Sequence, residues 1–295
     1  MDRKPYIFYC TDDFGMTETS CDHIIECAES GFINKISIMP NMSVCNIGEK
    51  LEGLHDVRLC VHLNFVEGEC VGDRSRLSLL VDEDGYFKNT FTGLFFLSLT
   101  HSAELIEQIK YEMRMQIARV RPYLDDTVPL FLDSHQHTHM IPALFRAMCE
   151  VIAEDGLDVG YLRVPAEPIR PFLSVPSMYV QYLSPNLIKQ WTLKACKLLC
   201  SRRLKRLGVK YAAFFGIMFS GNMTDERVRK LLPQYIKYAK RHNTDVEVLF
   251  HLGYIDMEKD AEFLKDIKFN GFYLSQGRKN EYDAAVSLSR RGVTD

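Results

Sequence analysis

No stretch of this 295-residue chain approaches the ~18 unbroken apolar residues of a membrane-spanning helix, so no membrane partner is expected. Basic charge is not in surplus: Lys+Arg is 36 against Asp+Glu 39, for a formal net charge of −3. A nucleic-acid-binding protein normally carries a strong basic excess, so no nucleic-acid partner is expected either. A disulfide framework is missing as well. The nine cysteines are odd in number and irregularly spaced, which favours a reducing, cytoplasmic location. Residues 1–5 lead straight into a strand-like run, with no secretory leader pattern. There is no internal repeat, low-complexity tract or linker, so residues 1–295 are expected to form a single domain.

What is present is an ordinary globular composition, 46% apolar and 25% charged, arranged as short β-rich runs alternating with longer helical ones. Strands are expected at 5–10 (PYIFYC), 35–39 (KISIM, stopped by Pro40), 57–63 (VRLCVHL), 131–132, 161–164, 211–215, 246–250 (VEVLF) and 271–274. Helices are expected at 17–30, capped by Thr17 and ended by Gly31, at 142–154, at 224–242 with a bend at Pro233, and at 279–290. Strands that alternate with helices pair in parallel through right-handed crossovers. The expected fold is therefore an α/β, TIM-barrel-like (β/α) barrel variant with about seven parallel strands. Two segments break the rhythm, 67–100 and 165–207, and insertions of this kind build the mouth of a barrel. The basic run 189–210 has a phosphate-binding look, but a solvated helix face explains it more simply.

The chemistry-bearing residues fall after the strands. Asp12 and Asp13 follow the first, His62 and Asn64 end the third, His135, His137 and His139 follow the run at 131–132, and His251 follows 246–250. Alternating histidines on an extended strand end would share one face. Adjacent carboxylates are costly unless a cation or hydrogen bonds hold them. In a parallel barrel the carboxyl ends of the strands converge on one rim, where active sites sit. One carboxylate and two imidazoles around a divalent ion, with a spare Asp as base and a spare His as acid, make a hydrolase site. Zn²⁺ and other transition ions suit imidazole, and Mg²⁺ suits carboxylate.

At these residues the sequence resembles the YdjC-like carbohydrate deacetylases. The shared motifs are Asp12-Asp13-Phe14-Gly15, His62-Leu63-Asn64 trailed by Gly68, Leu132-Asp133-Ser134-His135-x-His137-x-His139, Arg163-x-Pro165 and the late His251, from about residue 5 to 290. Leu252 stands where the family usually has Pro. The resemblance implies a barrel fold, one divalent metal ion (Mg²⁺ in the first instance) and removal of N-acetyl groups from acetylated amino sugars or oligosaccharides. It implies Asp12 as general base, Asp13, His62 and His135 as metal ligands and His251 as the acid. It leaves His137, His139, Arg163 and Asn64 to contact substrate or brace the ligands. A homodimer is a further expectation. The alternatives are a metal-dependent phosphoesterase of another barrel family, whose early His-x-His motif is absent, and a non-catalytic metal- or sugar-binding protein, which would not need Asp12.

Overall fold

The computed structural model describes residues 3–42, 46–261, 271 and 273–292. Seven strands form one sheet: β1 (Ile7–Phe14), β2 (Lys35–Ile38), β3 (Arg58–Leu63), β4 (Leu130–Ser134), β5 (Val159–Leu162), β6 (Ala213–Phe215) and β7 (Val246–Phe250). Their order is β5-β4-β3-β2-β1-β7-β6, and every pairing is parallel. The sheet curls into a barrel that closes incompletely. Its edge strands approach at an isolated bridge between Tyr161 and Lys210, where the Leu162 amide donates to the Lys210 carbonyl at 3.0 Å. The central strands are buried on both faces because helices cover the outside and side chains fill the inside, the usual burial of a parallel sheet.

Among the described residues the α-helices are α1 (Glu18–Glu29), α2 (Ile47–Leu51), α3 (Phe91–Thr100), α4 (Ser102–Val120), α5 (Pro142–Glu154), α6 (Ile169–Leu173), α7 (Asn186–Leu207), α8 (Asp225–His242) and α9 (Gln276–Arg291). Thr17 caps α1 in a reciprocal box with Ser20. Helix α8 runs unbroken through Pro233. The 19-residue α4 was not anticipated, although Leu105, Ile106, Ile109, Met113 and Ile117 form a buried stripe at helical spacing. The strand expected at 271–274 is corrected: Gly271, Tyr273 and Leu274 lie in turns, and Phe272 is outside the described residues. Among the described residues no helix is long and apolar enough to cross a membrane, and none of the eight described cysteines is paired.

Candidate active site

The strand expected to end at Cys10 continues to Phe14, and its last turn of sequence carries the first two site residues. Successive residues on a regular strand point to opposite faces. Here the register against β2 shifts between Thr11 and Phe14, and Asp13 adopts φ 67°. This irregularity lets Asp12 and Asp13 both line the same cavity. Gly15 follows at φ 105°, where a Cβ would sit 3.0 Å from the Met42 carbonyl oxygen, so the turn out of β1 tolerates no side chain.

The inside of the barrel is ionic. Arg163 grips Asp12 with both terminal nitrogens, at 2.6 and 2.8 Å, and reaches Asp133 at 2.9 Å and Glu247 at 2.8 Å. Lys35 of β2 bonds Glu247 of β7 at 2.8 Å and Asp133 of β4 at 3.2 Å. Tyr161 donates to the other oxygen of Glu247. All of these groups are buried. Such charges are stable inside only when paired. The arrangement holds Asp133, which burial alone would raise, well below the usual carboxylate range through Arg163 and Lys35.

Asp133 then fixes His62. Its Oδ1 lies 2.6 Å from His62 Nδ1. A carboxylate there assigns the proton to Nδ1 and leaves the Nε2 lone pair free. Nε2 is buried without a hydrogen-bond partner, 3.5 Å from Asp13 Oδ1 and 3.8 Å from Asp12 Oδ2. On the other side, His135 Nδ1 lies 2.9 Å from Asp13 Oδ1, and its Nε2 lies 3.2 Å from Glu67 and 3.1 Å from the Tyr273 hydroxyl. Tyr273 also bonds Glu67, and Arg278 of α9 bonds the second oxygen of Asp13.

The ligand atoms of Asp13, His62 and His135 all lie within 4.8 Å of one another. The donor set suits a divalent ion. An orphaned imidazole nitrogen faces a buried carboxylate, and among the described residues five carboxylates (Asp12, Asp13, Glu67, Asp133, Glu247) outnumber the side-chain cations Lys35, Arg163 and Arg278 that pair with them and Lys189 that faces them across the cavity. Without an ion, protons take up the field. Burial lowers both histidines, but Asp12 and Asp133 lift His62 to about 9, and Asp13 and Glu67 lift His135 to about 10. Burial raises Asp13, yet His135 and Arg278 hold it well below its usual range.

The three histidines of 135–139 do not share one extended face, which corrects that expectation. The segment coils, with Gln136 at φ 51° and His137 at φ 59°, so each ring takes its own direction. His137 enters the cavity. Burial, Lys189 and Arg163 keep it neutral, and its Nδ1 has no hydrogen-bond partner. His139 is wholly buried between Ser134 Oγ, 2.6 Å away, and the Arg163 carbonyl, 2.8 Å away, where burial lowers it to about 4. It braces the backbone that carries Arg163. Asn64 likewise faces away from the cavity: it accepts the Val66 and Glu67 amides and donates to Asn41 and the Glu67 carbonyl, shaping the loop that presents Glu67.

His251 lines the cavity from the end of β7, and its amide donates to Glu281 at 2.5 Å while its Nδ1 lies 3.4 Å from the same oxygen. Leu252 is buried beside it. The cavity measures about 600 Å³. Phe91 and Thr92 come from one long insertion and Ile188, Lys189 and Thr192 from the other, so both insertions do build the mouth. Sequence reasoning missed Lys35, Glu247, Glu67, Tyr273, Arg278 and Glu281. The signal for two of them was there: a lone Lys opens KISI and a lone Glu interrupts VEVLF, and a charge inside a fully buried strand needs a partner.

Fold and site together define a class: a curled parallel α/β barrel with a buried acid–imidazole cluster at the carboxyl ends of its strands. The chain belongs to the family described as YdjC-like protein, which matches residues 6–291. A carbohydrate deacetylase of Danio rerio is 28% identical over 158 residues, covering 53% of this chain and 49% of that protein. One of Thermoanaerobacter pseudethanolicus is 29% identical over 167 residues, covering 56% and 63%. The matched part thus spans about half the length of the first of these relatives and under two thirds of the second. An Enterococcus faecalis protein provisionally described as a cellobiose-phosphate cleavage protein has a crystal structure that superposes with a TM-score of 0.64. That superposition covers 99% of this chain and 97% of the other at 17% identity, a likeness of fold.

Proposed function

We propose that the protein is a metal-dependent carbohydrate deacetylase, which hydrolyses the N-acetyl group of an acetylated amino sugar or oligosaccharide. The observation that carries this reading is the orphaned Nε2 of His62, set by Asp133 to face Asp13 and grouped with His135 at the cavity floor. The named carbohydrate deacetylases among its relatives support the substrate class.

Asp13, His62 and His135 would hold one divalent ion, with Mg²⁺ first among the candidates and Zn²⁺ or another transition ion also suited to the ligands. Such an ion supplies Lewis-acid activation of water and of the acetyl carbonyl. Asp12 takes the proton from the attacking water. Arg163 orients it, and each of its oxygens keeps a lone pair beyond the guanidinium bonds. The water oxygen joins the carbonyl carbon, the C–N bond breaks, and His251 delivers a proton to the departing amine. Glu281 aims that imidazole. His137, neutral and unpartnered at Nδ1, accepts a sugar hydroxyl. Arg163, His139 and Asn64 act from behind the cavity wall, which narrows the four supporting residues to one that meets substrate. We further propose that the whole chain acts as one cytoplasmic domain and that it forms a homodimer.

The test is a screen of acetylated mono- and disaccharides for acetate release, with and without added divalent ions. Ion-dependent acetate release is expected; its absence from every sugar with every ion would overturn the proposal.

A further inference from the structure

We propose that a second cavity, beside the seam where the barrel fails to close between β5 and β6, binds a phosphate-bearing small molecule. It measures about 1010 Å³ and shares no lining residue with the catalytic cavity. One wall is the chain leaving β5, residues 166–170. Another is the chain entering β6, residues 209–213, and α7 and the end of α8 complete it. Its volume lies at the upper end of the range for small-molecule sites, so it admits more than a bare anion.

The lining is basic, and among the described residues Arg3 is the lining cation already taken, by Asp245. Arg170, Lys194, Lys197 and Lys210 come from three separate segments, and among the described residues none of them forms an ion pair. The two carboxylates of the lining are engaged elsewhere. Asp245 takes Arg3 and the Tyr6 amide. Glu167 accepts the amides of Gly216, Ile217 and Met218 at 2.5, 2.8 and 3.0 Å. Lys194 and Lys197 are half-buried and three residues apart on one face of α7. Their ammonium groups are steadied over aromatic rings, Lys194 at 5.3 Å from Trp191 and Lys197 at 5.1 Å from Tyr211. Burial pushes both lysines below their ordinary range; for Lys194 the Glu167 carboxylate opposes that push and the Lys197 charge adds to it. Like charges gathered in a concave, partly desolvated site focus a positive field that an anion relieves. Converging guanidinium and ammonium donors match a phosphate, whose three oxygens accept from several directions at once.

This assigns part of the basic run 189–210 to a function. Lys189 turns to the catalytic cavity, whereas Lys194, Lys197 and Lys210 turn to this one. A single helix, α7, therefore walls both.

The test is calorimetric titration of the full chain with inorganic phosphate and, separately, with AMP, at constant ionic strength. Saturable binding of either is expected, with AMP binding more tightly if the body of the ligand also fills the cavity. Lys194→Gln with Lys197→Gln should weaken binding by about 10-fold or more, the worth of a lost charge-assisted contact. Arg170→Gln with Lys210→Gln, on the opposite walls, should weaken it too and serves if the first pair unfolds. His62→Ala should leave it intact. No saturable binding of either probe would overturn the proposal, as would binding that survives both lysine and arginine pairs but is lost in His62→Ala.

Discussion

Asp133→Asn changes one atom and removes the charge on which His62 depends. In the native site Oδ1 meets His62 Nδ1 at 2.6 Å, while Oδ2 meets Ser37 at 2.8 Å, Arg163 at 2.9 Å and Lys35 at 3.2 Å. An amide has one acceptor and one donor end. If its oxygen faces the cations, its NH₂ faces His62 and forces the proton to Nε2, where it blocks the ligand lone pair. If it flips, the NH₂ faces Lys35 and Arg163, and two buried cations lose an acceptor. Either way ion affinity should fall by about 10- to 100-fold, the usual loss when the partner of a ligand histidine is removed. Breaking one partner out of a buried ionic cluster costs about 3–5 kcal/mol, which for a chain of this size lowers Tm by roughly 5–8 °C. The assays are calorimetric ion titration below the variant's melting point and a thermal scan. Wild-type ion affinity in a folded Asp133→Asn protein would refute the reasoning.

Asp12→Asn keeps the ligand set and removes the proton acceptor, so acetate release should drop by about 10² to 10⁴ with ion content unchanged, measured by turnover and metal analysis. His251→Ala should lower kcat far more than ion occupancy, measured by turnover and metal analysis, because the residue acts on the leaving group. Glu167 gives a pH effect of the opposite sign to an ordinary carboxylate. Burial raises it to about 7 in the fold against the three backbone amides that lower it, so the folded chain binds the extra proton between about 4.5 and 7. Stability should therefore fall as pH rises through that window, by at most about 1.4 kcal/mol per unit, and Glu167→Gln should flatten the slope in denaturant titrations.

Much of the site was legible because its residues are polar at positions the strand pattern makes inner. Asp12, Asp13, His62, His135, His137 and His251 all line one cavity, as the convergence of strand ends in a barrel requires. Rotation of individual side chains was not legible. The coil at Gln136 and His137 depends on two left-handed residues that no glycine announces, and it sends His139 into the core. The ties across the barrel were hidden for a different reason. Lys35 and Glu247 are 212 positions apart in sequence, and only closure of the sheet makes them partners. Arg163 was noted as a partner for Asp12 or Asp133, and it holds both.

The most direct test of the account follows the oxygen of water. Incubate the ion-loaded protein with an N-acetylated amino-sugar disaccharide in oxygen-18 water and read both products by mass spectrometry. Hydrolysis at the amide puts the label into acetate and leaves a free, unlabelled amine on the sugar, and the labelled acetate should vanish in His62→Ala. Label entering the sugar instead, or unlabelled acetate, would contradict it.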